Sequence, residues 1–209
     1  YCSDRGSGDF AAESSLSVKD QIDKTRTVME HKWKNCGIIP YFQAHTNTYA
    51  PLDVLKEKYE EALSYPDVVG VNIATRADAL PDDVCEYLGE IAERTVLTVE
   101  LGLQSSSDKT AELINRGHDF ATFCEGYNRL RRASSKIEIG VHIILGLPED
   151  SEEDMLKTVS DVALLKPNQV KIHLLHVIAE TKLASIYESG AYTPLSKEQY
   201  VSLAVKALE

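Results

Sequence analysis

The sequence has no long hydrophobic run, little cysteine and a shortage of positive charge. None of its 209 residues lies in an apolar stretch approaching the roughly 18 residues of a membrane-spanning helix, which favours a cytoplasmic protein with no membrane partner. Cys2, Cys36, Cys85 and Cys124 are too few and too widely spaced for a disulfide framework, so they indicate a reducing compartment. A net charge of −11 argues against a broad basic face for a nucleic-acid backbone.

Apolar residues make up 43% of the chain and follow a repeating order of helix and strand patterns. The first helix is predicted over 17–35, and Gly117 divides a later helical stretch in two. Short β-type runs alternate with the helices, and strands are predicted over 37–43, 68–74, 96–104, 137–146 and 169–177. This alternation predicts an α/β fold with one parallel sheet, either open and doubly wound or closed toward a barrel. The length fits a single domain over 1–209.

Polar and apolar side chains alternate along the predicted strands. In VLTVELGLQ every odd position from Leu97 to Leu103 is apolar, whereas Glu100 and Gln104 point to the other face. Four successive strands share the pattern, and their polar face carries Asn72, Arg76, Glu100, Gln104, His142, Lys171 and His173.

Burying an unpaired charge is costly, so these side chains favour a sheet that curls around a polar, ligand-filled interior. We therefore expect an incomplete, TIM-like (β/α) barrel of parallel strands, with a small-molecule site at the carboxyl ends of the strands. The alternative is that the polar side chains pair only with each other, or face solvent on an uncovered side of the sheet.

A resemblance to a known family comes from six segments of the chain taken together, in the order YCSDRGSGDF, FQAHTNTYAP, ATRADALPDD, VELGLQ, INRGHD and HIILGLPEDSEEDM. As a set they resemble the radical S-adenosylmethionine (radical SAM) superfamily, and within it a bacterial group of iron–sulfur oxidoreductases related to the radical SAM domain of the Elongator catalytic subunit. The resemblance implies a [4Fe–4S] cluster that cleaves S-adenosylmethionine reductively. The resulting 5′-deoxyadenosyl radical abstracts hydrogen from a substrate, and a donor such as flavodoxin or ferredoxin supplies the electron.

Cys2 matches the last of the three cysteines that hold the cluster in this superfamily. The resemblance places the other two cysteines and the first barrel strand before Tyr1, so 1–209 is expected to be a radical SAM core domain that is incomplete at its N-terminus. Cys85 and Cys124 lie among apolar residues at helical spacing and are expected in the core.

The resemblance also implies that Gln104, in GLQ, and Arg116, in NRGH, bind S-adenosylmethionine. A guanidinium group matches a carboxylate with two parallel hydrogen bonds, which suits Arg116 to this role. The alternative for Arg116 is a residue at a helix end that binds backbone carbonyls before Gly117.

Further cofactor contacts follow from the same resemblance, with departures from the family pattern. His142 stands where relatives have an Asp that contacts the adenosyl group, and Gly146 would let the backbone approach adenine. Ala74 replaces the expected ribose-binding Glu, so Glu100 is its candidate substitute. A GGE segment is absent after the first predicted strand, and Gln43 is a candidate ligand for the methionine ammonium group.

Arg76, Asp78 and His173 lie on or just beyond strand ends and are the candidates for substrate contact. The Elongator resemblance implies tRNA as the partner, with a wobble-uridine side chain as the target and a small metabolite as the rival substrate. Because the chain is acidic, tRNA binding would need a separate basic segment or partner.

Two readings from other classes stay open at the level of sequence. Lys171 on the polar face could form a Schiff base, as in an aldolase-like barrel. A non-catalytic domain that only binds a nucleotide would carry the same polar face.

Overall fold

The computed structural model describes residue 13 and residues 15–209, and one parallel sheet with its helices forms the centre of the fold. The strands are β1 Tyr41–Phe42, β2 Gly70–Thr75, β3 Val96–Gln104, β4 Glu138–Leu145 and β5 Gln169–Leu174. The helices are α1 Val18–Met29, α2 Leu52–Leu63, α3 Asp82–Arg94, α4 Asp108–Leu113, α5 Phe120–Ala133, α6 Glu152–Leu165, α7 Lys182–Glu188 and α8 Lys197–Leu208. A short 3-10 helix, Ala77–Ala79, follows β2.

The strands lie in the order β1-β2-β3-β4-β5, and all neighbours are parallel. Parallel strands in sequential order are connected by right-handed crossovers as a rule, which puts the connecting helices on one face of the sheet. Residues of α2, α3, α5 and α6 accordingly pack in one core cluster with the strands. The other face is left for a ligand, as in the interior of a barrel. The expected α/β partial barrel is confirmed, and the doubly wound alternative is wrong because it requires a reversal of strand order.

The apolar face of the sheet packs against the helices. Leu97, Val99, Leu101 and Leu103 on β3 are all fully buried, as the alternation predicted. They belong to one large cluster with residues of α3 and α5. A second, smaller cluster of Leu145, Met155 and Leu203 joins β4, α6 and α8.

Capping residues determine where several helices begin. The Ser151 side chain accepts a hydrogen bond from the Asp154 backbone, and the Asp154 carboxylate accepts one from the Ser151 backbone, which together form a capping box for α6. Gly117, with φ +87°, lies in the turn that separates α4 from α5, as predicted.

The first predicted strand and the first helix are shorter than expected. Pro40 lacks the N–H group that would extend β1, so only an isolated bridge from Ile38 to Val68 precedes the two paired residues. Helix α1 ends at Met29 rather than at residue 35.

Two valines on the helix-facing side of the sheet are not covered. Val69 is 52% exposed and Val170 44% exposed, although alternation along the strands, which places Val69 with Val71 and Val170 with Ile172, predicts both on the buried face. Val69 directly precedes β2 and Val170 is the second residue of β5, so both lie at the amino ends of their strands.

The cysteines of the described region are structural or exposed. Burial raises the pKa of the Cys85 thiol to about 11, and Cys124 packs against the core. Both core predictions are therefore confirmed. Cys2 lies outside the described residues. Within the region that the structure describes, none of the helices is long and apolar enough to cross a membrane.

Candidate functional site

The centre of the polar face is the carboxylate of Glu100, which is only 3% exposed. Lys171 Nζ donates to Oε1 at 2.6 Å. His142 Nε2 lies 2.8 Å from Oε2, and the Tyr41 hydroxyl donates to the same oxygen. Four strands, β1, β3, β4 and β5, thus converge on one buried acid.

The donors around Glu100 decide its charge. Burial disfavours the ionised carboxyl, but hydrogen bonds from Lys171 and Tyr41 and the nearby positive charge outweigh it, so the pKa of Glu100 lies below its ordinary value. Burial and the hydrogen bond to Glu100 raise the pKa of the Tyr41 hydroxyl. At neutral pH the centre is therefore a carboxylate held by neutral and cationic donors.

His142 joins Glu100 to His173. His142 Nδ1 lies 3.1 Å from His173 Nε2, and the two ring centres are 5.0 Å apart. Burial lowers the pKa of each imidazole. His173 is exposed on the polar face, while His142 is partly buried behind it. The alternative in which polar side chains pair with each other is thus what the structure shows for this group.

These contacts change the roles expected for two cofactor candidates. Both ring nitrogens of His142 are engaged by protein groups, and the Glu100 carboxylate already accepts from three donors. A ribose or adenine contact by either residue would have to displace one of these bonds. Lys171 is paired with Glu100, so its amine is not free for the Schiff base of an aldolase.

Gln104 ends β3 in an unusual backbone conformation. Its φ is +64°, and the pairing of β3 with β4 shifts register between Gly102 and Gln104. A bulge of this kind re-aims a side chain, and the Gln104 amide lies over Gly102, where a Cβ would be 2.6 Å from Nε2. The amide therefore lies on the polar face, at the carboxyl end of the central strand.

Arg116 is buried directly beside Gln104. Its Nη1 donates to Leu103 O at 2.7 Å and to Ser105 O at 2.5 Å, and its Nε donates to His118 O at 2.9 Å. The expected alternative of carbonyl binding is thus observed, although two of the carbonyls flank Gln104.

One nitrogen of Arg116 is left over. Nη2 is buried and has no hydrogen-bond partner among the described residues, and the Asp108 carboxylate lies 3.9 Å away. A buried, unsatisfied donor on a cation is costly unless a ligand completes it. Burial lowers the pKa of the guanidinium, in agreement with this incomplete solvation.

Arg76 and Asp78, two of the substrate candidates, bind each other. Arg76 Nε and Nη2 donate to the two carboxylate oxygens at 2.9 and 2.7 Å. The pair lies next to Gly117, where a Cβ would be 2.9 Å from Arg76 Nη2. The Arg76–Asp78 pair, at the carboxyl end of β2, therefore lies close to Arg116, at the carboxyl end of β3.

The sequence analysis missed His118 and Tyr41 as site residues. His118 Nδ1 lies 3.5 Å from Asp78, and in the described structure neither ring nitrogen has a hydrogen-bond partner. Its position in INRGHD, two residues after Arg116, was the available signal. Tyr41 follows Pro40, which obscured the alternation of that strand.

Gly146 and Gln43 lie at strand ends but in different settings. The Gly146 N–H donates to Met155 Sδ, and the Tyr192 hydroxyl donates to the Gly146 carbonyl. A Cβ at Gly146 would lie 3.0 Å from the Leu195 side chain. The structure thus gives Gly146 a packing role. Gln43 directly follows β1, at the carboxyl edge of the sheet.

Cys2, the predicted cluster ligand, lies outside the described residues. No group of three or more His, Cys, Asp or Glu side chains that could hold a metal occurs among the residues described. Cys2 remains the candidate ligand of the sequence analysis.

Comparison with known proteins identifies the family. The sequence model of the Radical SAM superfamily matches residues 1–162. The chain belongs to the radical SAM superfamily. A second model, the Radical_SAM C-terminal domain, matches residues 167–209. The recognition made from the six segments is confirmed, and the family is one of enzymes.

The curated relatives that the chain matches are longer than the chain. The chain is 47% identical over 209 residues to the uncharacterized protein YtqA of Bacillus subtilis, and the match covers all of this chain and 64% of that protein. It is 26% identical over 155 residues to Elongator complex protein 3 of Mus musculus, covering 72% of this chain and 27% of the relative. The chain spans 60–64% of the length of YtqA, MJ0486 of Methanocaldococcus jannaschii and YhcC of Escherichia coli.

Two solved structures share the fold. Elp3 of Methanocaldococcus infernus, with an N-terminal deletion, superposes with a TM-score of 0.72 at 19% identity, covering 91% of this chain and 48% of that one. Coproporphyrinogen III oxidase (HemN) of Escherichia coli superposes with a TM-score of 0.61 at 18% identity, covering 80% and 38%.

Proposed function

We propose that this protein cleaves S-adenosylmethionine reductively with a [4Fe–4S] cluster and uses the product to abstract hydrogen from an organic substrate. The observation that carries the proposal is the buried Nη2 of Arg116 beside Gln104, which has no hydrogen-bond partner among the described residues. Family membership supports the same cofactors.

The residues at the end of β3 fit the methionine part of S-adenosylmethionine. Arg116 is anchored by the carbonyls of Leu103, Ser105 and His118, so Nη2 can donate to a carboxylate without a change in the position of the side chain. Gln104 offers an amide donor and acceptor on the polar face. Gln43, at the end of β1, is the proposed partner of the ammonium group.

Cys2 is the proposed cluster ligand of this chain, since thiolates are the ligands of [4Fe–4S] clusters. When bound, the cluster and S-adenosylmethionine would supply a 5′-deoxyadenosyl radical that takes a hydrogen atom from the substrate. The protein must hold the target atom close and exclude water from it. Arg76, Asp78 and His173, at the same edge of the sheet, are the proposed substrate contacts.

We further propose tRNA as the substrate, with modification at a wobble-uridine side chain. The relation to Elongator complex protein 3 supports this choice. The net charge of −11 does not support it. Two of the basic side chains, Arg131 and Lys136, are already engaged by Asn168 and Glu93. A separate basic segment or partner would therefore be needed to hold the tRNA backbone.

The decisive experiment is anaerobic reconstitution of the full protein with iron and sulfide. Addition of S-adenosylmethionine and a reductant, either dithionite or reduced flavodoxin, is expected to release 5′-deoxyadenosine, measured by chromatography and mass spectrometry. A Cys2→Ala variant is the control and should release none. Absence of both cluster absorption and 5′-deoxyadenosine from the wild-type protein would refute the proposed activity.

Gln104→Asn tests the cofactor site without disturbing the fold. Asn tolerates the positive φ of this position but does not reach as far, so stability should be unchanged. Binding of S-adenosylmethionine, measured by calorimetry, should weaken by about tenfold, the effect of one lost hydrogen bond of about 1.4 kcal/mol. Gln21→Asn on α1 is the matched control and should bind normally. Equal binding by the two variants would remove Gln104 from the site.

A further inference from the structure

Glu100, His142 and His173 form a chain of hydrogen bonds whose direction can be assigned. Glu100 is ionised at neutral pH, because its donors lower its pKa, and an ionised carboxylate can only accept. His142 Nε2, 2.8 Å from Oε2, must therefore carry the hydrogen of that bond.

The direction of the hydrogen bond between His142 and His173 then follows. Burial lowers the pKa of His142, so its ring is neutral at pH 7, and with hydrogen on Nε2 its Nδ1 is a bare acceptor. His173 Nε2, 3.1 Å away, must donate to it. Partial desolvation and the nearby Lys171 charge lower the pKa of His173 as well, so its ring is neutral at pH 7 and its Nδ1 carries no hydrogen. The donors thus run from His173 to His142 to Glu100.

This chain connects two different environments. His173 is exposed on the polar face, whereas Glu100 is almost completely buried. The other titratable groups that face the chain are Lys171 on β5 and Tyr41 on β1, both bonded to Glu100. The hydrogen bonds therefore connect His173 to Glu100, and because Lys171 and Tyr41 lower the pKa of Glu100, a proton that reaches this carboxylate is readily returned along the same path.

We propose that His173 is the proton-transfer residue of this site, with His142 and Glu100 as the relay behind it. When His173 Nδ1 takes a proton from a ligand, its Nε2 hydrogen passes to His142 Nδ1, and the His142 Nε2 hydrogen passes to Glu100. In total the ligand loses one proton and Glu100 gains one. The same steps in reverse return the proton from Glu100 to the ligand. That this ligand is the substrate of the enzyme rests on the proposed function, whereas the hydrogen-bonded relay exists without any cofactor.

The relay can be tested without catalysis by ring-nitrogen NMR of the full protein across pH. Both rings should carry hydrogen on Nε2, and their titrations should be coupled, so that His173→Gln changes the titration of His142. His31→Gln, an exposed position beyond α1, is the control and should leave both rings unaffected. Hydrogen on Nδ1 of His142, or independent titration of the two rings, would overturn the relay.

A second measurement tests its use in turnover. With a transcribed tRNA as the probe, His173→Gln should lower substrate conversion by about 100-fold and abolish one limb of its pH profile. His176→Gln, at an exposed position of the same segment outside the relay, is the control and should behave as wild type. A wild-type pH profile for His173→Gln would contradict the proposal. If the wild-type protein releases no 5′-deoxyadenosine, the proposed function fails, and the NMR result alone decides the relay.

Discussion

Glu100 is the residue on which the polar face depends. Its neighbours Tyr41, His142 and Lys171 reach it from strands that are separate in sequence, and each directs a donor at it. A buried carboxylate with three donors is satisfied, but removal of the charge leaves those donors with a poorer acceptor. The same residue therefore controls stability and the charge of the proposed relay.

Glu100→Gln should lower the free energy of unfolding by about 1–3 kcal/mol at pH 7, because Gln keeps one acceptor oxygen but loses the charge. The folded pKa of Glu100 is depressed, so the wild-type carboxylate stabilises the fold above the unfolded value of about 4.3. That contribution is lost as the pH falls through the folded pKa. The variant should therefore lose less stability on acidification.

Urea unfolding at neutral and acidic pH measures both effects. Glu57→Gln, at an exposed position of α2, is the matched control and should differ little from wild type. An acid dependence as steep in Glu100→Gln as in wild type would show that folding does not lower the pKa of this carboxyl.

At the scale of elements, the contact between α5 and the 3-10 helix positions the substrate candidates. A Cβ at Gly126 of α5 would lie 2.2 Å from the carbonyl of Ala77, so the two backbones touch. The 3-10 helix carries Asp78 and follows Arg76 directly. A displacement of this contact would therefore move the ion pair at the carboxyl edge of the sheet.

Gly126→Ala should destabilise the protein by about 3 kcal/mol, since backbone must move to admit the methyl group. Gly89→Ala on α3 is the comparison, because its Cβ would lie 3.1 Å from Ala133 O and the gain in helix propensity offsets part of the strain. Thermal unfolding of both variants measures the difference. Equal melting temperatures would mean that α5 does not approach the 3-10 helix this closely.

At the scale of the whole molecule, β5 and α8 are integrated with the preceding sheet. The two family models meet between residues 162 and 167, yet β4 and β5 pair across that boundary over six residues of β5. Leu203 of α8 also packs with Leu145 and Met155. We therefore predict that the chain unfolds as one cooperative unit, as expected for a single domain over 1–209.

Leu203→Ala should lower the stability of the whole chain by about 2–4 kcal/mol, because Leu203 is only 5% exposed. Val205→Ala, at a position of the same helix that is 51% exposed, is the control with little effect. Circular dichroism and fluorescence of the single tryptophan, Trp33, should give one coincident urea transition. Two separate transitions would contradict the single domain.

Local pattern was enough to predict the architecture of this molecule. Alternation along β3 assigned its apolar residues to the helix face, and the order of strands and helices predicted the parallel sheet. The same reasoning failed at Val69 and Val170, because alternation tells which face a side chain takes but not whether a helix covers it. It also failed at β1, where Pro40 and a two-residue strand leave too little pattern.

The sequence by itself determined the fold class, the polar face and the family, since these depend on periodicity and on motifs of contiguous residues. The tertiary structure decided which polar groups satisfy each other. Glu100 meets Tyr41, His142 and Lys171 at separations of 59, 42 and 71 residues, and no local pattern specifies such partners. The tertiary structure also showed that Nε and Nη1 of Arg116 donate to backbone carbonyls, whereas Nη2 has no hydrogen-bond partner among the described residues. The sequence could not predict this, because the positions of the carbonyls depend on the bulge at Gln104.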